Sequence, residues 1–113
     1  KLQPSGAYAA NLLGLSEQVP AKVVFLTNGR ARKVKLGLLS IELRPTTPKK
    51  TATAGRASGL VITALTYLGK EHITPERIAH LRRTLSKEDR AQLITDLAHA
   101  PAWLHSHLRA IAA

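Results

Sequence analysis

Between Lys22 and Arg56 the chain carries nine cations (Lys22, Arg30, Arg32, Lys33, Lys35, Arg44, Lys49, Lys50 and Arg56) against Glu42 alone. Ammonium and guanidinium groups at this density seek a polyanion. They neutralise backbone phosphates and release condensed counterions whatever the base sequence. Residues 1–21 hold one cation and one acid, and residues 57–113 hold seven cations against five acids. The formal charge of +10 over 113 residues is therefore concentrated in the middle third. A helix start directly after Gly55-Arg56 would add free amides and the positive end of a helix dipole to the same region. Lys and Arg on an outward strand face also blunt an edge and keep a protein dissolved, but so local an imbalance favours the phosphate reading. The candidate nucleic-acid-binding residues are Arg30, Arg32, Lys33, Lys35, Arg44, Lys49, Lys50 and Arg56.

Other chemistries find less support. The chain has no cysteine, which excludes disulfides and thiolate metal sites. Of the five histidines, His105 and His107 look like a ligand pair, but two residues apart on a helix is about 200°, so they face different sides. His72, His80 and His99 read as surface or half-buried side chains. Neither Gly-x-Ser-x-Gly nor a glycine loop before Lys-Ser/Thr occurs, and the acids sit mostly in first helical turns, where capping and dipole roles account for them. Gly55 and Gly59 read as close helix packing. Tyr8, Phe25, Tyr67 and Trp103 do not interleave with the cations, which argues against a stacking platform for single strands. Trp103, at a helix start, is expected to close the core. The chain reads as non-enzymatic, with no metal and no cofactor.

The elements that must position the cations can be read from pattern. Pro4-Ser5 followed by Ala7, Tyr8, Ala9, Ala10, Leu12 and Leu13 predicts a short helix capped by Ser5 and stopped by Gly14. Lys22–Thr27 (KVVFLT) reads as a strand, and Asn28-Gly29 after it as a type I′ hairpin turn. Arg32–Leu36 then returns with Val34 and Leu36 on one face and Lys33 and Lys35 on the other. A third strand, Ser40–Arg44, turns Ile41 and Leu43 inward and Ser40, Glu42 and Arg44 outward. The sum is a small three-stranded antiparallel meander with one basic face.

Pro45–Ala54, with its prolines and threonines, reads as an exposed, mobile loop. Ala57–Leu68 is apolar almost all round and reads as the central buried helix, ending at Gly69. Thr74-Pro75-Glu76 and Ser86-Lys87-Glu88-Asp89 are helix starts, and Pro101 opens a last helix striped by Leu104, Leu108 and Ile111. The predicted class is α+β: a short helix, three strands, then about four helices. One domain, 1–113, suits this length. A start at Lys1 without Met is expected of a piece of a longer chain. No apolar run approaches the roughly 20 residues of a membrane span, and a cytoplasmic setting without membrane contact is expected.

Residues 4–113 also carry a family resemblance. The run Pro4-Ser5-Gly6-Ala7-Tyr8-Ala9-Ala10-Asn11-Leu12-Leu13 leads into Gly14-Leu15-Ser16-Glu17-Gln18-Val19-Pro20. The strand Lys22–Thr27, the basic stretch Arg30–Lys35, Ser58-Gly59-Leu60 and the tail Leu97-Ala98-His99-Ala100-Pro101-Ala102-Trp103 follow. Together they resemble the AbiE-type antitoxins (AbiEi family) of bacterial type IV toxin–antitoxin systems, which act in phage defence. The resemblance implies an amino-terminal winged helix-turn-helix that binds promoter duplex DNA of its own operon. It also implies a carboxy-terminal domain that counteracts a nucleotidyltransferase-like toxin. The winged domain has no counterpart in this sequence, and only the basic patch is carried over. The expected function is an antitoxin and transcriptional-autoregulator domain. The rivals are a protein-interaction module that blocks the toxin without nucleic acid, and an RNA-binding domain.

Overall fold

The computed structural model describes residues 2–16 and 22–113, without the side chains of Lys49 and Lys50. Glu17-Gln18-Val19-Pro20, which carries part of the resemblance, lies outside the described residues. Strand β1 (Leu2–Pro4) precedes helix α1 (Gly6–Leu12), and β2 (Lys22–Thr27), β3 (Arg32–Leu36) and β4 (Leu39–Pro45) follow. Helices α2 (Ala57–Leu68), α3 (Pro75–Thr84), α4 (Lys87–Thr95) and α5 (His105–Ala112) complete the chain, with short 3-10 turns between them. The described residues thus form a mixed α and β structure of one four-stranded sheet and five α-helices.

The sheet differs from a three-stranded antiparallel meander. Its order is β1-β2-β4-β3, and β2 pairs with β4 in parallel, while β1 and β3 are antiparallel to their neighbours. Asn28-Gly29 therefore forms no hairpin. Neither residue has positive φ, and the Gly29 N–H instead donates to the Thr27 hydroxyl at 3.0 Å. The physical reason is distance: β2 and β3 lie two strand spacings apart, roughly 10 Å, more than a two-residue turn bridges. Residues 28–31 carry the chain across. The real hairpin joins β3 to β4 through Gly37-Leu38, with Leu36 paired to Leu39. Gly37 has φ +61° and Leu38 has no positive φ, the pattern of a II′ turn, which needs Gly at its first central position.

The core is helical. Ala9 and Ala10 of α1, Val61, Ala64 and Leu65 of α2, Leu81 of α3, Leu93 of α4, and Leu104, Leu108 and Ile111 at the carboxy end are fully buried together. Each enclosed Leu contributes about 1.5–3 kcal/mol of burial free energy. No side chain of β3 or β4 belongs to this cluster. The sheet docks through its other end: Gln3 of β1 donates to the Thr63 hydroxyl of α2 at 3.3 Å, and the Ser5 N–H donates to Val24 O at 2.7 Å. Tyr8 of α1 meets Phe25 of β2 edge-to-face, with ring centroids 5.5 Å apart.

The helix starts follow their local signals. Thr74 accepts from the Arg77 N–H ahead of Pro75, and Ser86 accepts from the Asp89 N–H. Gly14, with φ +74°, stops α1, although the Ser5 side chain makes no cap bond. Pro101 opens a 3-10 turn (Ala102–Leu104) before α5 begins. Two expectations are overturned. The 45–54 stretch is no loose loop: it finishes β4, forms a 3-10 turn at Pro48–Thr51, and buries Thr51 and Thr53. Trp103 does not close the core; it is 37% exposed, and Leu104 beside it is the buried residue.

Gly59 explains how the threonine stretch seats on α2. A Cβ at this position would overlap the Thr53 carbonyl, so the close packing read from the glycine spacing is helix against backbone rather than helix against helix. Gly59→Ala is expected to lower stability by about 1–3 kcal/mol, read as a reduced urea midpoint. An unchanged midpoint would show that the Thr53 segment is free to move away.

Candidate nucleic-acid interface

Alternation and register assemble the charged face. Lys33 and Lys35 of β3 stand opposite Glu42 and Ser40 of β4, and parallel pairing sets Lys22 and Val24 of β2 beside the same Ser40 and Glu42. Residues paired across a sheet share a face, so Lys22, Lys33, Lys35 and Arg44 gather around Glu42. Lys22, Lys33, Lys35, Ser40 and Glu42 line a hollow of about 360 Å³. Lys22 was absent from the candidate set; its place at the first position of a strand, in phase with Val24 and Leu26, was the available signal.

Glu42 organises this face. Its carboxylate lies 2.9 Å from Lys22 Nζ and 3.0 Å from an Arg44 guanidinium nitrogen. Hydrogen bonds from Lys22 and Arg44 hold its pKa below the ordinary carboxylate value. Arg44 and Lys22 are therefore partly neutralised, whereas Lys33 and Lys35 have no ion-pair partner among the described residues.

The eight predicted residues do not form one patch. Lys33, Lys35 and Arg44 share the face. Arg32 alternates onto the opposite face with Val34, and Arg30 is exposed in the crossing segment. Lys49 and Lys50 occupy the Pro48–Thr51 turn, and their side chains lie outside the described atoms. Arg56 points elsewhere altogether. Its Nε lies 3.3 Å from Asp96 Oδ2, and its guanidinium donates to Ala52 O at 3.2 Å.

That pair resolves the expected anion site at Gly55-Arg56: the chain supplies its own anion. Asp96, at the end of α4, is buried against the first turn of α2 and accepts from the Ser58 hydroxyl and, at 3.1 Å, from the Gln92 amide. Burial pushes its pKa up. Bonds from Ser58 and Gln92, with the charges of Arg56 and His99, outweigh that and hold the carboxyl below its usual value.

Two of the histidines serve backbone carbonyls. His80 Nε2 donates to Leu13 O at 2.9 Å, covering the end of α1, and His105 Nε2 donates to Ala100 O at 3.0 Å. Among the described residues no cluster of three His, Cys, Asp or Glu side chains could hold a metal ion. A second hollow, about 460 Å³, lies against α2 and is lined by Thr47, Thr53, Thr63, Thr66, Tyr67 and His99, among others. No helix among the described residues is long and apolar enough to cross a membrane.

A family match covers residues 1–93, which include the whole sheet and all but the end of α4. The chain belongs to DUF6088, a family of unknown function. No curated protein and no solved structure matches it.

The Asp96 cluster makes an acid-sensitive joint between α2 and α4. A carboxyl whose pKa is depressed by folding contributes its full stability above the unfolded value, about pH 4, and loses that contribution as pH falls through the lower folded value. Asp96→Asn keeps one oxygen for Ser58 but removes the charge facing Arg56. It is expected to cost about 1–3 kcal/mol at neutral pH and to flatten the loss of stability in acid. Urea denaturation at pH 7 and at pH 3 checks both; parallel curves for the two proteins would count against the cluster.

Proposed function

We propose that this chain is a non-enzymatic nucleic-acid-binding domain of an antitoxin-type autoregulator. It would engage duplex DNA of its own promoter alongside a winged helix-turn-helix domain supplied elsewhere, and take part in neutralising a nucleotidyltransferase-like toxin. One observation supports the DNA half above the others: Lys33 and Lys35 stand side by side, solvent-exposed and without an acid partner among the described residues, on a face that also carries Lys22 and Arg44. Such groups contact phosphates and set orientation rather than read bases. Arg30 is exposed in the crossing segment, and Lys49 and Lys50 follow β4 in sequence. Arg56, held by Asp96, is left out. The toxin half is supported by the resemblance alone.

A protein-interaction role without nucleic acid is the second reading. The observation favouring it is the exposed apolar tip of the hairpin, Leu36 and Leu38.

The test is a mobility-shift titration on duplex DNA with Lys33→Glu and Lys35→Glu combined. Removing two phosphate contacts is expected to weaken binding by tenfold or more and to reduce the slope of log affinity against log salt by about 2. Unchanged affinity and slope would remove this face from the interface. A preference for structured RNA over duplex DNA of equal length would overturn the DNA assignment.

A further inference from the structure

The sheet has two edges of unequal character. β1 is three residues long and is tied to α2 through Gln3 and Thr63. β3, at the opposite end of the sheet, is five residues long, keeps an unbroken register with β4, and contains no proline. Natural sheets usually blunt an edge by shortness, proline or a bulge, and β3 uses none of these. Among the described residues its protective device is charge, from Arg32, Lys33 and Lys35.

The hairpin geometry says which backbone groups are open. A two-residue turn closes on a hydrogen-bonded pair, here Leu36 and Leu39. Alternation then turns Arg32, Val34 and Leu36 toward β4 for their ladder bonds. The N–H and C=O of Lys33 and Lys35 point away, toward the open edge. The side chains alternate as well: Lys33 and Lys35 share the Glu42 face, while Val34 and Leu36 lie on the other. Leu36 is 60% exposed, and Leu38 at the turn is 95% exposed.

We propose that the free edge of β3 is a docking site for an extended segment of another protein that alternates acidic and apolar residues, added to the sheet as a fifth strand. The charges select this occupant. A strand paired with β3 sets one alternate row against Lys33 and Lys35, where acids are favoured across the pair. The other row lies against Val34 and Leu36, where apolar groups cover exposed surface. A second copy of this chain is disfavoured for the same reason. Antiparallel pairing of β3 with its own copy, centred on Val34, sets Lys33 opposite Lys35 twice over, and directly opposed like charges destabilise a pair. The edge is therefore open to an acidic strand and closed to itself.

This site is independent of the DNA reading in its essential groups, since it uses the outward backbone of Lys33 and Lys35 where phosphate binding uses only their ammonium groups. The probe is a blocked peptide alternating Glu and Val over the length of β3, with a control of the same composition arranged as a Glu block and a Val block. Fluorescence anisotropy should show the alternating peptide binding at least tenfold more tightly than the control, with slowed hydrogen exchange at the Lys33 and Lys35 amides. Lys35→Gln should weaken the peptide severalfold by loss of charge. Lys35→Pro, which also removes an outward donor at a position where edge strands tolerate proline, should weaken it at least tenfold further. Duplex DNA should not distinguish Lys35→Gln from Lys35→Pro, which separates failure of this proposal from failure of the DNA reading. Should Lys35→Pro unfold, exchange in the unaltered protein decides alone. Equal binding of the block control, unprotected Lys33 and Lys35 amides, or concentration-dependent pairing of β3 between copies would each overturn the proposal.

Discussion

Because β2 runs parallel to β4, the chain must cross the sheet between Thr27 and Arg32, and β3 lies outside β4. Much of the molecule's surface chemistry follows from that pairing. It brings Lys22 alongside Ser40 and Glu42, completes the ring of cations around one carboxylate, and leaves β3 as the long edge. A plain meander would have placed β3 between β2 and β4 and paired both of its sides. The same pairing turns the hairpin away from the helices, so Val34, Leu36, Ile41 and Leu43 stay outside the helical core.

The acids divide the cations into held and available ones. Glu42 restrains Lys22 and Arg44, and Asp96 restrains Arg56. The exposed pairs around Glu42 add little stability; their effect is to fix side-chain positions on the face. Asp96 is different because it is buried. Its Oδ2 joins the end of α4 to the first turn of α2 through Ser58, Gln92 and Arg56, which sets an anion of the chain's own at the start of α2. Among the described residues, Lys33 and Lys35 on the Glu42 face are left without an acid partner.

The helical layer is held separately. α2 is covered by α1 and α4, Gly59 admits the Thr53 backbone, and His80 caps the end of α1. A core that takes nothing from the hairpin allows surface changes on β3 and β4 without disturbing the packing of Leu65, Leu81 and Leu93. Chemistry carried by the hairpin is in this sense mechanically decoupled from the stability of the body.

Features that depend on neighbours within one turn were legible from residue order alone: the Thr74 and Ser86 caps, the Gly14 and Gly69 stops, and the alternation that separates Lys33 and Lys35 from Val34. Their causes lie two to four residues apart, so the chain states them locally. Strand order, the failure of Asn28-Gly29 to turn a hairpin, the capture of Arg56 by Asp96 and the exposure of Trp103 were decided only by the folded arrangement. Ser58 and Asp96 are 38 residues apart, and Gln3 and Thr63 are 60 apart; which distant groups meet depends on how whole elements pack. Composition therefore determined that this chain has a basic segment. Tertiary structure decided which of its cations already have partners, because an ion pair is set by distance in space and not by position along the chain.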